Sequence, residues 1–241
     1  MKPTVDTAIP ERTVKWNLRR KIKSFGQWCR ENWPTKADLR YALTVLRHPI
    51  DEFWEMKRVQ KGNIFVALLM VLLLFLATLF DRQARSFMHN IHYNTPLDVF
   101  YELRMMLIPG ILFILANWSV TTLMNGKGTA KDIFLATCYS LQPLILMHIV
   151  VPLLSYALSL EDGAYLKIVE ILGWIWFGLM LYIAISQIHE YSLGKTFLTL
   201  IITAVAAIII VLICLLFFSL IQELAGFLYS IYREMFLRIY S

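Results

Sequence analysis

The sequence lacks most features that would place it among secreted disulfide-bonded proteins or disordered chains. Its 241 residues include only three cysteines, Cys29, Cys138 and Cys214, too few for a disulfide framework. The N-terminal sixty residues contain no apolar core of the kind found in signal peptides, so we expect no cleavable leader. Charged residues make up 17% of the chain and hydrophobic residues 58%, a balance that excludes a disordered protein.

Motifs of catalytic and metal sites are incomplete. The sequence before Gly194 lacks the earlier glycine of a phosphate-binding loop, because His189 stands at that position. His189 and Glu190 lack the second histidine of a zinc-protease motif. His89 and His92 supply two potential zinc ligands without further partners. We therefore expect a protein that is not an enzyme, with no catalytic residues, no cofactor and no metal.

Five long apolar runs dominate the rest of the chain. They cover residues 64–80, 105–124, 133–160, 168–188 and 196–222. The last four reach or exceed the roughly 20 residues that an α-helix needs to cross about 30 Å of hydrocarbon. Backbone groups in lipid must be satisfied within their own segment, so runs of this length form helices. The sequence therefore predicts an all-α polytopic membrane protein, with a five-helix membrane domain over 61–222 and a short tail over 223–241.

The N-terminal region, residues 1–60, is basic and predicts helices that lie on the membrane. From Arg12 to Trp33, the residues Leu18, Ile22, Phe25 and Cys29 recur at helical spacing among basic residues. Such a segment is attracted to anionic lipid, which we expect it to bind. The alternative is a disordered basic tail that serves only as a topology signal. No nucleic-acid recognition fold accompanies the charge, so nucleic acid is not an expected partner.

Two further interfacial helices are predicted between Thr35 and Val59, joined at Pro49. Thr35 and Asp38 have the spacing of a capping box at the start of the first helix. The side chains expected on the apolar side of these helices or at the membrane interface are Leu39, Leu43, Leu46, Phe53, Trp54 and Met56.

Basic residues are distributed unevenly about the apolar runs. Of the 23 lysines and arginines, 14 precede Ile64. With a cytoplasmic N-terminus, that side of the membrane holds 17 basic residues and the other side holds six. The positive-inside rule then predicts a cytoplasmic N-terminus and an extracytoplasmic C-terminus. We expect the membrane to be the plasma membrane.

Polar residues within the runs allow two interpretations. The third run contains Gln142, Pro143, His148 and Pro152, which predict either one bent helix or a broken helix that lines a polar cavity. In the second interpretation Asn117, Gln142 and His148 line a path, and the protein is a transporter or channel subunit. In the first, His148 bonds to a neighbouring helix. Glu170 is expected to pair with Lys167, three residues away near the end of a span.

Two short loops contain the strongest local signals. Gly126 and Gly128 lie between the second and third spans, and Gly194 lies between the fourth and fifth. Glycine permits tight reversals, so these loops predict two helical hairpins of similar design. Thr129 and Ser192 are placed to cap the helices that follow.

Four motifs together resemble a known family. They are His48-Pro49-x-x-x-Phe53-Trp54, Asn117-Trp118, Gly126-x-Gly128-x-x-Lys131-Asp132 followed by Tyr139 and Pro143, and His189-x-Tyr191-Ser192-x-Gly194-Lys195. In order and spacing they resemble the bacterial branch of the Yip family, five-span membrane proteins named for eukaryotic members that interact with Ypt/Rab GTPases. The acidic Tyr-Gly-Pro-type motif of those eukaryotic relatives does not occur in this sequence.

The resemblance implies a cytoplasmic N-terminus, a five-helix bundle and no known enzymatic activity. Some bacterial members are encoded near solute-transport systems, which implies an accessory or scaffolding role toward other membrane proteins; self-association remains open. The expected structural or interaction positions are Asn117, Trp118, Gly126, Gly128, Lys131, Asp132, Pro143, His148, His189, Ser192, Gly194 and Lys195.

Overall fold

The computed structural model describes residues 33–90 and 96–240, and this part of the chain is all helical. The helices are α1 (Lys36–Arg47), α2 (Pro49–Arg58), α3 (Ile64–Ala84), α4 (Val99–Leu123), α5 (Ala130–Tyr139), α6 (Gln142–Ser155), α7 (Gly163–His189) and α8 (Leu193–Tyr240). Five candidate spans are long and apolar enough to cross a membrane: α3, α4, α5 with α6, α7 and α8. The all-α, five-span prediction is confirmed. The segment from Arg12 to the residue before Trp33 lies outside the described residues, as do Cys29 and His92.

The helix starts are set by short polar side chains. Thr35 accepts from the backbone N–H of Asp38, whose carboxylate accepts from the N–H of Thr35, so the predicted capping box forms. Thr129 and Asp132 repeat this arrangement at the start of α5. Each box satisfies N–H groups that the first helical turn leaves without a partner.

The third span is a single span with one interruption. The helix stops at Tyr139 and resumes at Gln142, so that Pro143 occupies the first turn of α6, where proline's missing N–H costs least. The carbonyl of Ala136 accepts from both the backbone N–H and the hydroxyl of Ser140, at 3.0 and 2.8 Å, so helical hydrogen bonding continues up to the interruption. The helix ends at Ser155, earlier than the end at 160 expected from the apolar run, because hydropathy marks composition and not the last helical bond.

The two helices before the first span share a core with the spans. Ala42 and Val45 of α1 and Phe53 of α2 are fully buried, in one cluster with residues of α3, α5 and α7. The amide of Gln142 donates to the carbonyl of Ala42 at 2.7 Å. The periodicity of α1 placed Leu39, Leu43 and Leu46 on the apolar side of an interfacial helix; Leu46 packs against this cluster, whereas Leu39 and Leu43 are 40% and 68% exposed. The smaller Ala42 and Val45 permit closer helix contact.

Helix pairing follows chain order only in part. The most extensive packing joins α3 to α6, α4 to α8 and α6 to α7, and α2 lies against α7. The expected hairpins, α4 with α5 and α7 with α8, pack less extensively than these pairs. Much of the packing of these spans therefore involves helices other than the one joined by the short loop. The loops alone do not predict this packing.

The last helix extends well past its packing partners. α8 has 48 residues, or about 72 Å at 1.5 Å per residue, and it continues without a break beyond the span expected to end at 222. Every residue from Val211 to Phe236 is exposed. Only the first part of α8 therefore packs against the bundle.

Truncation after Gln222 is expected to leave the bundle intact, because the removed side chains are exposed along their described length. We expect a change in unfolding free energy of less than about 0.5 kcal/mol, the range of surface substitutions, measured by denaturant titration in one detergent. A loss of 2 kcal/mol or more, on the order of a buried core contact, would show that this part of α8 packs on the domain.

Candidate functional site

Polar side chains gather at the two ends of the bundle. We call the end formed by Lys57, the loop of Lys127 and the loop before Lys195 the lysine end. The opposite end, which contains Arg82 and Arg85, is the arginine end. Most of the candidate positions identified in the sequence lie at the lysine end.

His189 is the centre of the lysine end. It is 1% exposed, and its ring stacks on Tyr191 with centroids 5.3 Å apart. Its Nδ1 accepts a hydrogen bond from the backbone N–H of Gly128 at 3.2 Å. A Cβ added at Gly126 would lie 2.5 Å from this Nδ1, and one at Gly128 would lie 2.6 Å from Ile188. The glycines of one loop thus make room for the histidine of the other.

Gly126 and Gly128 are required for close packing and not for a turn conformation, which corrects the expectation from the sequence. Among the described residues the left-handed positions are Gln60, Asn125 and Glu190, and no glycine has a positive φ. Asparagine tolerates this conformation better than most residues, whereas Glu190 adopts it with its carboxylate bonded to Lys127 at 2.6 Å. Gly194 has nothing within 4 Å of an added Cβ, so sterics do not require glycine there.

Lysines connect the elements of this end. Lys57 donates to the carboxylate of Asp132 at 2.6 Å and to the carbonyl of Lys127 at 2.8 Å. Lys195 donates to the carbonyl of Met124 at 3.1 Å and lies over the ring of Tyr191. The hydrogen bond from Lys127 holds the pKa of Glu190 below its usual value.

The remaining loop positions differ in their surroundings. The side chain of Lys131 is exposed at the rim of a small cavity of about 130 Å³ between α2 and α5. The carbonyl of Ser192 accepts from the backbone N–H of Thr196 at 2.9 Å, so Ser192 stands at the start of α8. The lysine end is therefore a packed surface with a few exposed lysines.

Asn117 connects α4 to α8 below the lysine end. It is fully buried, and its amide donates to the hydroxyl of Thr203 at 3.1 Å. The hydroxyl of Thr203 donates in turn to the carbonyl of Thr199 at 2.8 Å. The neighbouring Trp118 is 46% exposed and points away from this contact. The structure thus gives Asn117 a role in helix pairing.

A double-mutant cycle tests this role. Asn117→Leu and Thr203→Val should each destabilise the protein, with a coupling of about 0.6–1.7 kcal/mol, the range for interhelical hydrogen bonds in membranes. The Oδ1 of Asn117 has no hydrogen-bond partner among the described residues, which favours the lower end of that range. Additive losses in unfolding free energy would contradict the pairing. Trp118→Leu serves as the exposed neighbour control.

The arginine end contains an ion network that joins three spans. The guanidinium of Arg85 donates to Asp81 through Nε and Nη2, both at 3.0 Å, and to Glu170 through Nη1 at 2.8 Å. The Nδ1 of His148 lies 2.8 Å from the carboxylate of Asp81. Lys167 lies 3.3 Å from Glu170, so the expected i,i+3 pair is confirmed.

Burial and charge act in opposite directions on Arg85. Burial disfavours its charged form, but the Asp81 carboxylate and the hydrogen bond to Glu170 outweigh this and raise the pKa of Arg85 above its ordinary value. A second pair, Arg82 with Glu102 of α4, lies beside the network. Together these groups line a cavity of about 450 Å³. Carboxylates and cations in this network are paired, so the charges hold helices α3, α4, α6 and α7 together.

Sequence reasoning found His148 and Glu170 but not the residues that join them. Asp81 and Arg85 follow the first apolar run and read as ordinary flanking charges. Arg85 and Glu170 are 85 residues apart, so only the packing of α3 against α6 and α7 brings them together. The three residues of the polar-path interpretation go to different neighbours: Asn117 to α8, Gln142 to α1 and His148 to α3.

The fold and the two polar ends define a multi-pass membrane protein with five candidate spanning helices. A family model, the Yip1 domain, matches residues 43–216, and the chain belongs to this family. The match runs from α1 into α8 and includes the polar residues of both ends described above. Neither the curated proteins nor the solved structures include a match.

Proposed function

We propose that this protein is a non-enzymatic scaffold or accessory factor of the plasma membrane that organises other membrane proteins. In this proposal the lysine end faces the cytoplasm and α8 carries the C-terminus to the outside. The uneven distribution of basic residues supports this orientation. The partners proposed are other membrane proteins, including a solute-transport system if the chain is of the bacterial branch, and further copies of the chain.

One observation supports this proposal above the others: buried polar side chains at both ends bond to neighbouring helices or loops. Lys57 bonds to Asp132, His189 to Gly128 and Arg85 to Asp81 and Glu170. These bonds fix the shape of the loops, and Lys127 and Lys131 remain exposed on them. A fixed surface with exposed cations suits contact with a partner protein.

The proposed orientation is tested by thiol labelling in a background without the native cysteines. Single cysteines at Lys127 and Ser192 should be shielded from an impermeant reagent in intact cells, and those at Met88 and Glu161 should react. All four positions are exposed in the structure, so a difference reports the side of the membrane. Reaction at Lys127 with shielding at Met88 would invert the proposal.

The scaffold role is tested by photo-crosslinking from full-length protein in cells. A photoreactive residue at Lys131 should crosslink to other membrane proteins, and one at Lys167, exposed at the other end, should not. The same products should disappear when Lys127 is also changed to Glu. A variant without residues 1–32, which keeps the capping box at Thr35, shows whether the N-terminal segment contributes to crosslinking.

The alternative to the scaffold role is that the protein is a transporter. Absence of products from Lys131, together with solute flux in proteoliposomes that is lost in His148→Ala, would replace the scaffold proposal with a transporter.

A further inference from the structure

α1 and α2 each have two adjacent apolar faces, and the bundle covers only one of them. The covered faces are those of Ala42 and Val45 in α1 and of Phe53 and Met56 in α2. The uncovered faces carry Leu39 and Leu43 on α1 and Ile50 and Trp54 on α2, which are 40%, 68%, 57% and 42% exposed. We call these four residues the apolar ridge.

Basic residues lie beside the apolar ridge at helical spacing. Lys36 and Arg40 precede Leu39 and Leu43 by three residues, and Arg47 and Arg58 follow Leu43 and Trp54 by four. Residues three or four apart are neighbours on a helix surface. All four basic residues are exposed, and the guanidinium of Arg58 lies 4.7 Å from the centre of the Trp54 ring.

The nearby acidic residues leave this edge positively charged. Asp38 turns back to cap α1 through Thr35, and Glu55 pairs with Lys61. Asp51 is the exposed acid next to Ile50. Glu52 beside it is half-buried, and Glu190 lies 3.9 Å from Arg58, so the positive charge of the border is concentrated at Lys36, Arg40 and Arg47 on α1.

The position of the ridge is set by the first span. The amide of Asn63, immediately before α3, lies 3.4 Å from the carboxylate of Asp38, and the Trp33 and Phe65 rings are 6.1 Å apart. The candidate span α3 begins at Ile64, so α1 lies beside the end of that span. Leu68 and Leu72 of α3, farther along the span, are exposed for contact with acyl chains.

We propose that the apolar ridge lies in the headgroup layer and that Lys36, Arg40, Arg47 and Arg58 bind anionic phospholipid. Aliphatic and indole side chains bordered by cations are the chemistry of helices that lie on an anionic membrane surface. Each basic residue near such a surface is attracted by about 1 kcal/mol. This inference is independent of the proposed scaffold role, because it needs no protein partner.

The test uses full-length protein, without its native cysteines, in vesicles. A nitroxide is attached at Leu43 on the ridge or at Ala37, which is also exposed but lies about 120° around the axis of α1 from Leu43. In phosphatidylcholine vesicles that contain phosphatidylglycerol, the Leu43 label should be relaxed more by oxygen and less by a water-soluble nickel chelate than the Ala37 label. The ratio should differ several-fold between the two sites.

The role of charge is tested in the same vesicles. Replacing Arg40 and Arg47 with Gln should move the Leu43 label toward water, and so should omitting phosphatidylglycerol. Raising salt from 0.1 M to 1 M, which shortens the screening length from about 10 Å to about 3 Å, should have the same effect. A Leu43 label as open to nickel as Ala37, one shielded from both reagents as under a protein partner or second copy, or one insensitive to phosphatidylglycerol would each overturn the proposal.

Discussion

Arg85→Met is expected to destabilise the protein by about 3–5 kcal/mol, because it leaves the buried carboxylate of Asp81 and the half-buried carboxylate of Glu170 without their shared cation. Asp81 and Glu170 have side chains only 11% and 19% exposed, and Arg85 bonds to both. The measurement is the free energy of unfolding in a single detergent, from denaturant titration of far-UV circular dichroism.

Two variants separate the network from a general loss of charge. Lys167→Met removes a cation that is 70% exposed and should cost less than about 1 kcal/mol, as surface pairs do. Adding Asp81→Asn to Arg85→Met should recover part of the loss, because one uncompensated charge is removed. An Arg85→Met protein as stable as wild type would show that the network does not hold the spans together.

Gly128→Ala is expected to destabilise the lysine end by about 1–3 kcal/mol, the usual cost of overpacking. The added Cβ would lie 2.6 Å from Ile188 and 2.7 Å from Cε1 of His189, both on a helix that cannot shift freely. Gly126→Ala should act similarly, since its Cβ would lie 2.5 Å from Nδ1 of the same histidine. The effect is read from the melting temperature in detergent.

Gly194→Ala is the matched control, because it changes a nearby glycine, in the first turn of α8, with open space around its Cβ. Its free energy of unfolding should lie within about 0.5 kcal/mol of wild type, as for other surface substitutions. In a His189→Ala background, Gly128→Ala should cost less, since neighbouring changes couple through shared space. Equal losses at Gly128 and Gly194 would contradict the packing described for His189.

Local features of the chain were predictable because their physics is local. A span needs only a sufficient length of apolar residues, and each of the five apolar runs overlaps one of the five candidate helices, although their ends differ. The capping boxes at Thr35 and Thr129 depend on a residue three positions away. The pair of Lys167 and Glu170 forms for the same reason, since residues three apart share one side of a helix.

Assignments that depend on a neighbouring helix were predicted less well. The loop glycines looked like turn residues, yet the left-handed positions are at Asn125 and Glu190, and Gly126 and Gly128 serve the packing of His189. The sequence does not distinguish a glycine required for a turn from one required for packing, because the packing contact comes from a residue about sixty positions away.

The sequence by itself determined that this chain is helical and crosses a membrane, and its motifs were sufficient to identify the family. Hydropathy and helical periodicity act over a few turns, so no other part of the chain is needed to read them. Tertiary structure alone decided that α1 and α2 belong to the core, that α4 pairs with α8, and that Arg85 joins Asp81 to Glu170. In an apolar bundle many helix arrangements bury similar surface. The choice among them depends on side-chain fit and on a few polar pairs between residues distant in the chain.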